Sequence, residues 1–189
     1  MNKKQLIVTS VLLLSMLVLA VSQEFFNKNF ERISTFDKVT NEYKEYSLNT
    51  NECVISLPDD WSVNEENSEG EYISYQLRFN STNDDITGII QVINTKENVE
   101  VFANRDVKNQ LFKFSDLKIS PINTEDKNGV LSEYTTSIKN GNDYKNKCYY
   151  LVLNDNQIVK VLFNVKDNDL NSKNTSVLEA VISSLKGAN

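Results

Sequence analysis

Two cysteines, one tryptophan, a short cluster of oxygen-bearing side chains and a complete lack of histidine set the chemistry open to this chain. Without histidine, a Ser-His-Asp triad, a Cys-His pair and the common zinc sites cannot be assembled. Asp, Glu, Lys, Tyr and the two cysteines remain as reactive groups. No carboxylate stands in an apolar setting that would lift its pKa into the range of acid–base work. The sequence points away from an enzyme and calls for no cofactor.

Asp167-Asn168-Asp169-Leu170-Asn171 puts oxygen ligands at the first, third and fifth positions of a calcium-loop pattern. The pattern then fails, with Ser172 where glycine belongs and Leu178 where the closing glutamate belongs. Asp167, Asp169 and Asn171 are therefore weak cation candidates, and a polar loop leading into a helix explains them more simply. Cys53 and Cys148 are an even pair that an oxidising compartment would bridge. The alternative is two small buried residues on neighbouring or separate strands. Trp61 could stack on a ligand, but a large ring just after a proline turn more simply anchors a core. Glu65, Glu66, Glu69 and Glu71 could meet a basic partner, with a solvated loop as the default.

Location is written more plainly than chemistry. Lys3 and Lys4 precede an uncharged, mostly apolar run from Leu6 to Val21, which puts the amino terminus in the cytoplasm and the rest of the chain outside. Residues 1–22 are expected to be a membrane anchor or a cleaved signal, since Ala20 and Ser22 also suit a cleavage site. Lys and Arg total 20 against 26 Asp and Glu, a net charge of −6 that becomes −8 once Lys3 and Lys4 are set aside. A domain of that sign, with no basic cluster, is not built for nucleic acid.

Residues 23–50 space Phe26, Phe30, Ile33, Phe36, Val39, Tyr43 and Tyr46 by three or four, which predicts an amphipathic helical linker, bent near Ser34 and Thr35. From residue 51 to 187 the signals are those of one domain. Short strands are expected over 52–57, 72–79 and 87–93, and a helix from an Asn98 cap with Val99, Phe102, Ala103, Val107, Leu111 and Phe114 at helical spacing. Four strands follow between Leu117 and Val165, broken by Asn- and Gly-rich turns, and a last helix runs from about Asn174 to Leu185. Tyr149 to Leu153 and Val159 to Val165 are apolar on both faces. An α+β fold follows, an antiparallel β-sheet with helices on both faces.

Ile55-Ser56-Leu57-Pro58-Asp59-Asp60-Trp61 resembles the opening strand and Pro-x-x-Trp turn of the PsbP-like family. The resemblance continues through a hairpin ending in Gly88-Ile89-Ile90-Gln91-Val92, one long helix, four strands and the Val177 to Leu185 helix, covering residues 51–186. It implies an α/β/α sandwich serving as a binding or assembly module without catalysis, and it assigns no functional residue. Fold does not transfer a partner. The expected protein is a single-pass, membrane-anchored extracytoplasmic module that binds a protein or small ligand at the cell surface. The competing readings are a secreted carboxylate-dependent enzyme and a stalked structural surface protein. Two carboxylates converging in a pocket would favour the enzyme, and an apolar surface patch the binding module.

Overall fold

A computed structural model describes residues 42–48, 53–66, 70–81, 86–123, 127–137, 141–167 and 171–187. The Leu6 to Val21 run and most of the 23–50 segment lie outside them. Among the described residues no helix is long and apolar enough to cross a membrane.

Among the described residues ten strands form two antiparallel sheets, and two helices pack on them. The larger has the order β3-β4-β5-β9-β8-β7-β6. Its strands are β3 (Ser62–Glu66), β4 (Ile73–Asn80), β5 (Ile86–Asn94), β6 (Phe114–Asn123), β7 (Asn128–Ser137), β8 (Asp143–Asn154) and β9 (Gln157–Lys166). The smaller joins β1 (Tyr43–Leu48), β2 (Cys53–Pro58) and β10 (Lys186–Gly187) in the order β1-β2-β10. Helix α1 (Val99–Lys108) packs on β7 and β8, whereas α2 (Ser172–Ser184) packs on β2.

The expected sandwich of one sheet between two helical layers is therefore corrected to a mostly β architecture of two sheets. Its cause lies in Tyr43–Leu48. Their spacing by three suits a helix, yet they pair residue by residue with β2, from Tyr43 opposite Pro58 to Leu48 opposite Cys53. Strand choice depends on a partner as much as on local pattern, and β2 supplies that partner. The domain accordingly starts before residue 51, and the helical linker expected over 23–50 does not extend through these residues. On the other side of β2, Ser56 N–H donates to Ser184 Oγ at 2.9 Å, which ties the end of α2 to the small sheet.

The larger sheet buries both faces of its central strands. Val159, Val161, Phe163 and Val165 alternate onto one face and are fully buried. On that face Phe79 stacks with Trp61 at 5.1 Å and meets Phe163 at 5.5 Å. Gly88 lies between these last two in register, opposite Phe79 on one side and Phe163 on the other. A Cβ at Gly88 would stand 2.2 Å from Phe79 Cζ and 2.2 Å from Leu162 O, so only a missing side chain lets the rings meet across β5. Trp61 is thus a core anchor.

On the opposite face α1 covers Cys148, Tyr150 and Ile158 with Phe102, Ala103 and Val107. Asn98 caps this helix, its side chain accepting from the N–H groups of Glu100 and Val101. The helical spacing suggested continuation to Leu111 and Phe114, but the helix stops at Lys108 and Asn109 caps it. Phe114 instead begins β6. An extra residue near Asp116 (φ 56°) bulges β6 between Ser115 and Lys118. Without it Phe114 and Leu117 would face opposite ways; with it both pack against the α1 cluster.

Candidate functional site

Ten helical residues rise about 15 Å, whereas the ten to twelve residues of β7, β8 and β9 extend more than about 30 Å. Helix α1 therefore covers only part of its face. Beyond its C-terminal end lies a cavity of about 540 Å³. Its floor is a row across four paired strands: Thr87 of β5, Asn164 of β9, Asn146 of β8 and Tyr134 of β7. Tyr144, Thr136, Ser137, Leu162 and Lys160 complete the sheet side. Gln110, Leu111 and Phe112, the chain leaving α1, form the lip. Leu111 is 99% exposed and Phe112 66%.

The polar groups around this floor are held firmly. Asn146 is buried, and its Nδ2 donates to Tyr134 O at 3.2 Å, Tyr144 O at 3.0 Å and Thr136 Oγ1 at 3.0 Å. Gln110 Nε2 donates to Tyr134 Oη at 2.5 Å, pinning the lip to the floor. Lys160 Nζ donates to Asp106 Oδ2 at 2.6 Å, and Tyr150 O–H donates to the same oxygen at 2.7 Å. Burial alone would lower the Lys160 pKa, but its acidic neighbours Cys148 and Asp106 outweigh burial and hold the ammonium above the ordinary lysine value. Burial, reinforced by Cys148 and Asp106, pushes the Tyr150 phenol far up. Burial is also the main reason the Tyr134 phenol is raised.

Among its described residues the lining contains no carboxylate and no thiol. The single ionic group among them, Lys160, is already matched by Asp106. Such a surface can orient and desolvate a molecule, but it holds no nucleophile paired with a base.

The residues singled out by sequence lie elsewhere. Cys53 and Cys148 are free and buried, on β2 of the small sheet and β8 of the large one. Burial pushes their thiols up to about 11 and about 12, so neither is poised to react. Asp167 pairs with Lys145 at 3.5 Å, beside a polar hollow that also carries Asp143 and Lys166. Asn171 is the N-cap of α2, accepting from Asn174 N–H at 2.9 Å. Asp169 lies outside the described residues. Among the described residues no three carboxylates or cysteines come together to hold a metal. Glu66 accepts from Arg78 Nε at 2.8 Å and from Gln76, giving part of the acidic run a local role.

Sequence reasoning missed the cavity. The available signal was Lys160 and Asn164, four residues apart in the otherwise apolar run 158–165, which marks a polar patch on the face opposite Val161 and Phe163.

No family model and no curated protein matches the chain. Solved structures do resemble it. The solution structure of cyanobacterial PsbP (CyanoP) from Synechocystis superimposes with a TM-score of 0.56 at 9% identity, over 78% of this chain and 93% of that one. A crystal structure from Bacteroides thetaiotaomicron gives 0.52 at 15% identity, over 77% of this chain but only 48% of its own, so this chain spans about half of it. At these identities the likeness concerns fold, and the fold of this chain is PsbP-like.

Proposed function

We propose that this protein is a non-catalytic binding or assembly module, with the cavity beyond α1 as its binding site, tethered outside the cytoplasm by residues 6–22. The observation carrying this reading is the lining of the cavity: neutral hydrogen-bonding groups and exposed apolar side chains, without a pair of reacting groups. A volume of about 540 Å³ falls within the roughly 300–1,000 Å³ of ordinary ligand sites. Exposed Leu111 and Phe112 at its rim supply apolar surface that a partner would cover. Lys3 and Lys4 before the Leu6 to Val21 run support the tether.

A photo-cross-linking residue placed at Phe112 of the full chain, in producing cells, tests the site. A discrete adduct is expected there and none from the same residue at Val152, which is exposed but outside the lining. No adduct at Phe112, or equal labelling at both, would overturn the assignment. Sedimentation with membranes, together with cleavage by protease added outside the cell, is expected for the tether. Recovery from the medium of a chain beginning at Gln23 would overturn it.

A further inference from the structure

We propose that the cavity beyond α1 recognises a neutral saccharide, an inference that rests on the binding-module reading and narrows its ligand. Charge comes first. Among the described residues of the lining Lys160 is the only ionic group, and Asp106 neutralises it at 2.6 Å. An anionic ligand such as phosphate is ordinarily held by several cations or bidentate arginines, which are missing among the described residues of this lining. A cationic ligand finds no carboxylate among the described residues of the lining to pair with. The ligand that fits carries no net charge.

Polarity comes second. The row Thr87, Asn164, Asn146 and Tyr134 is a floor of neutral donors and acceptors. Asn146 directs its amide protons to backbone carbonyls and to Thr136, which leaves Oδ1 as an acceptor without a partner among the described residues. A ligand carrying hydroxyl donors satisfies such a group, whereas a purely hydrocarbon ligand would strip its water and return nothing. Leu162 in the wall and the exposed Leu111 and Phe112 at the rim meet the C–H faces of a ring. Hydroxyl edges combined with apolar ring faces, without charge, describe a sugar.

The test uses the purified full chain in a detergent lacking a sugar headgroup, observed by saturation-transfer NMR. Maltotriose, cellotriose, lactose and N,N′-diacetylchitobiose are the saccharide probes, with inorganic phosphate and 1-anilinonaphthalene-8-sulfonate for comparison. Saturable binding of at least one saccharide is expected, weakened tenfold or more by Phe112→Ala and by Asn164→Ala and unchanged by Val152→Ala. Thermal melts check that all three variants stay folded. Binding of none of the four saccharides overturns the proposal, as does binding indifferent to the Phe112 and Asn164 variants. If only the anilinonaphthalene dye binds, in a manner sensitive to Phe112, the saccharide inference falls while the binding site stands. If, in addition, the Phe112 cross-linker yields no adduct in cells, both fall.

Discussion

Asp106 on α1 and Lys160 on β9 meet at 2.6 Å across the interface between the helix and the large sheet, with Tyr150 donating to the same carboxylate oxygen. Their side chains are only 26% and 13% exposed. Removing one partner leaves the other largely buried and unpaired. Asp106→Ala is expected to destabilise the domain by about 2–3 kcal/mol, below the full cost of a wholly buried pair because Asp106 is partly solvated. Lys160→Met, which keeps the stem and removes the charge, is expected to cost less. Urea unfolding of both variants and of the double variant checks this, and additive effects would show that the pair is not coupled.

Gly88→Ala is expected to destabilise by about 1–3 kcal/mol, towards the upper end, because one of the three clashing atoms is the backbone oxygen of Leu162 and cannot rotate away. A melting temperature equal to that of the parent protein would mean that the Phe79 and Phe163 rings do not meet across β5 as described.

A chain beginning at Asn49 lacks β1 and leaves one edge of β2 unpaired. It is expected to melt lower than a chain beginning at Glu42 and to aggregate more readily, since an open edge invites pairing with other molecules. Scanning calorimetry and light scattering on the two chains decide it. Equal stability would return Tyr43–Leu48 to the linker.

Both thiols are buried and free, so a thiol-reactive reagent is expected to find none reactive in the folded protein and two after unfolding without reductant. Their folded pKa values, about 11 and about 12, lie above the unfolded value of 9.0. The folded state then holds protons that the unfolded state releases, and the associated stability is intact below pH 9 and lost as pH climbs towards those values. Lys160, also raised, adds a loss of the same sign above about 10.5. Stability is expected to fall by more than about 1.4 kcal/mol from pH 9 to pH 11, with a shallower fall in Cys148→Ala. A flat profile would contradict the burial of these groups.

Local signals were legible where a segment's structure depends on itself. Asn98 and the spacing of Val99, Phe102 and Val107 announce α1, and Trp61 N–H bonding back to Pro58 O at 3.1 Å forms the turn that Pro58-Asp59-Asp60 suggests. The alternation of Val159, Val161, Phe163 and Val165 announces a buried strand face. What could not be read depends on partners distant in sequence. Tyr43–Leu48 became a strand because β2 offered an edge, and Leu111 left the helical pattern because α1 had already been capped. The cavity floor is a row whose members come from residues 87, 134, 146 and 164, and only strand register aligns them.

The strand order also dictates a sequence of events in time. Strands β3, β4 and β5 form one meander from neighbouring segments and β6 to β9 form another, and a single ladder joins them, pairing Ile86 with Val165 and Asn94 with Gln157. Closing that ladder requires bringing together segments far apart in the chain, an entropic barrier that slows assembly. Until residue 166 has emerged from the ribosome, the edge of β5 that β9 will pair with has its hydrogen bonds unmade. The interval before β9 arrives is therefore when that edge is most open to pairing with other chains.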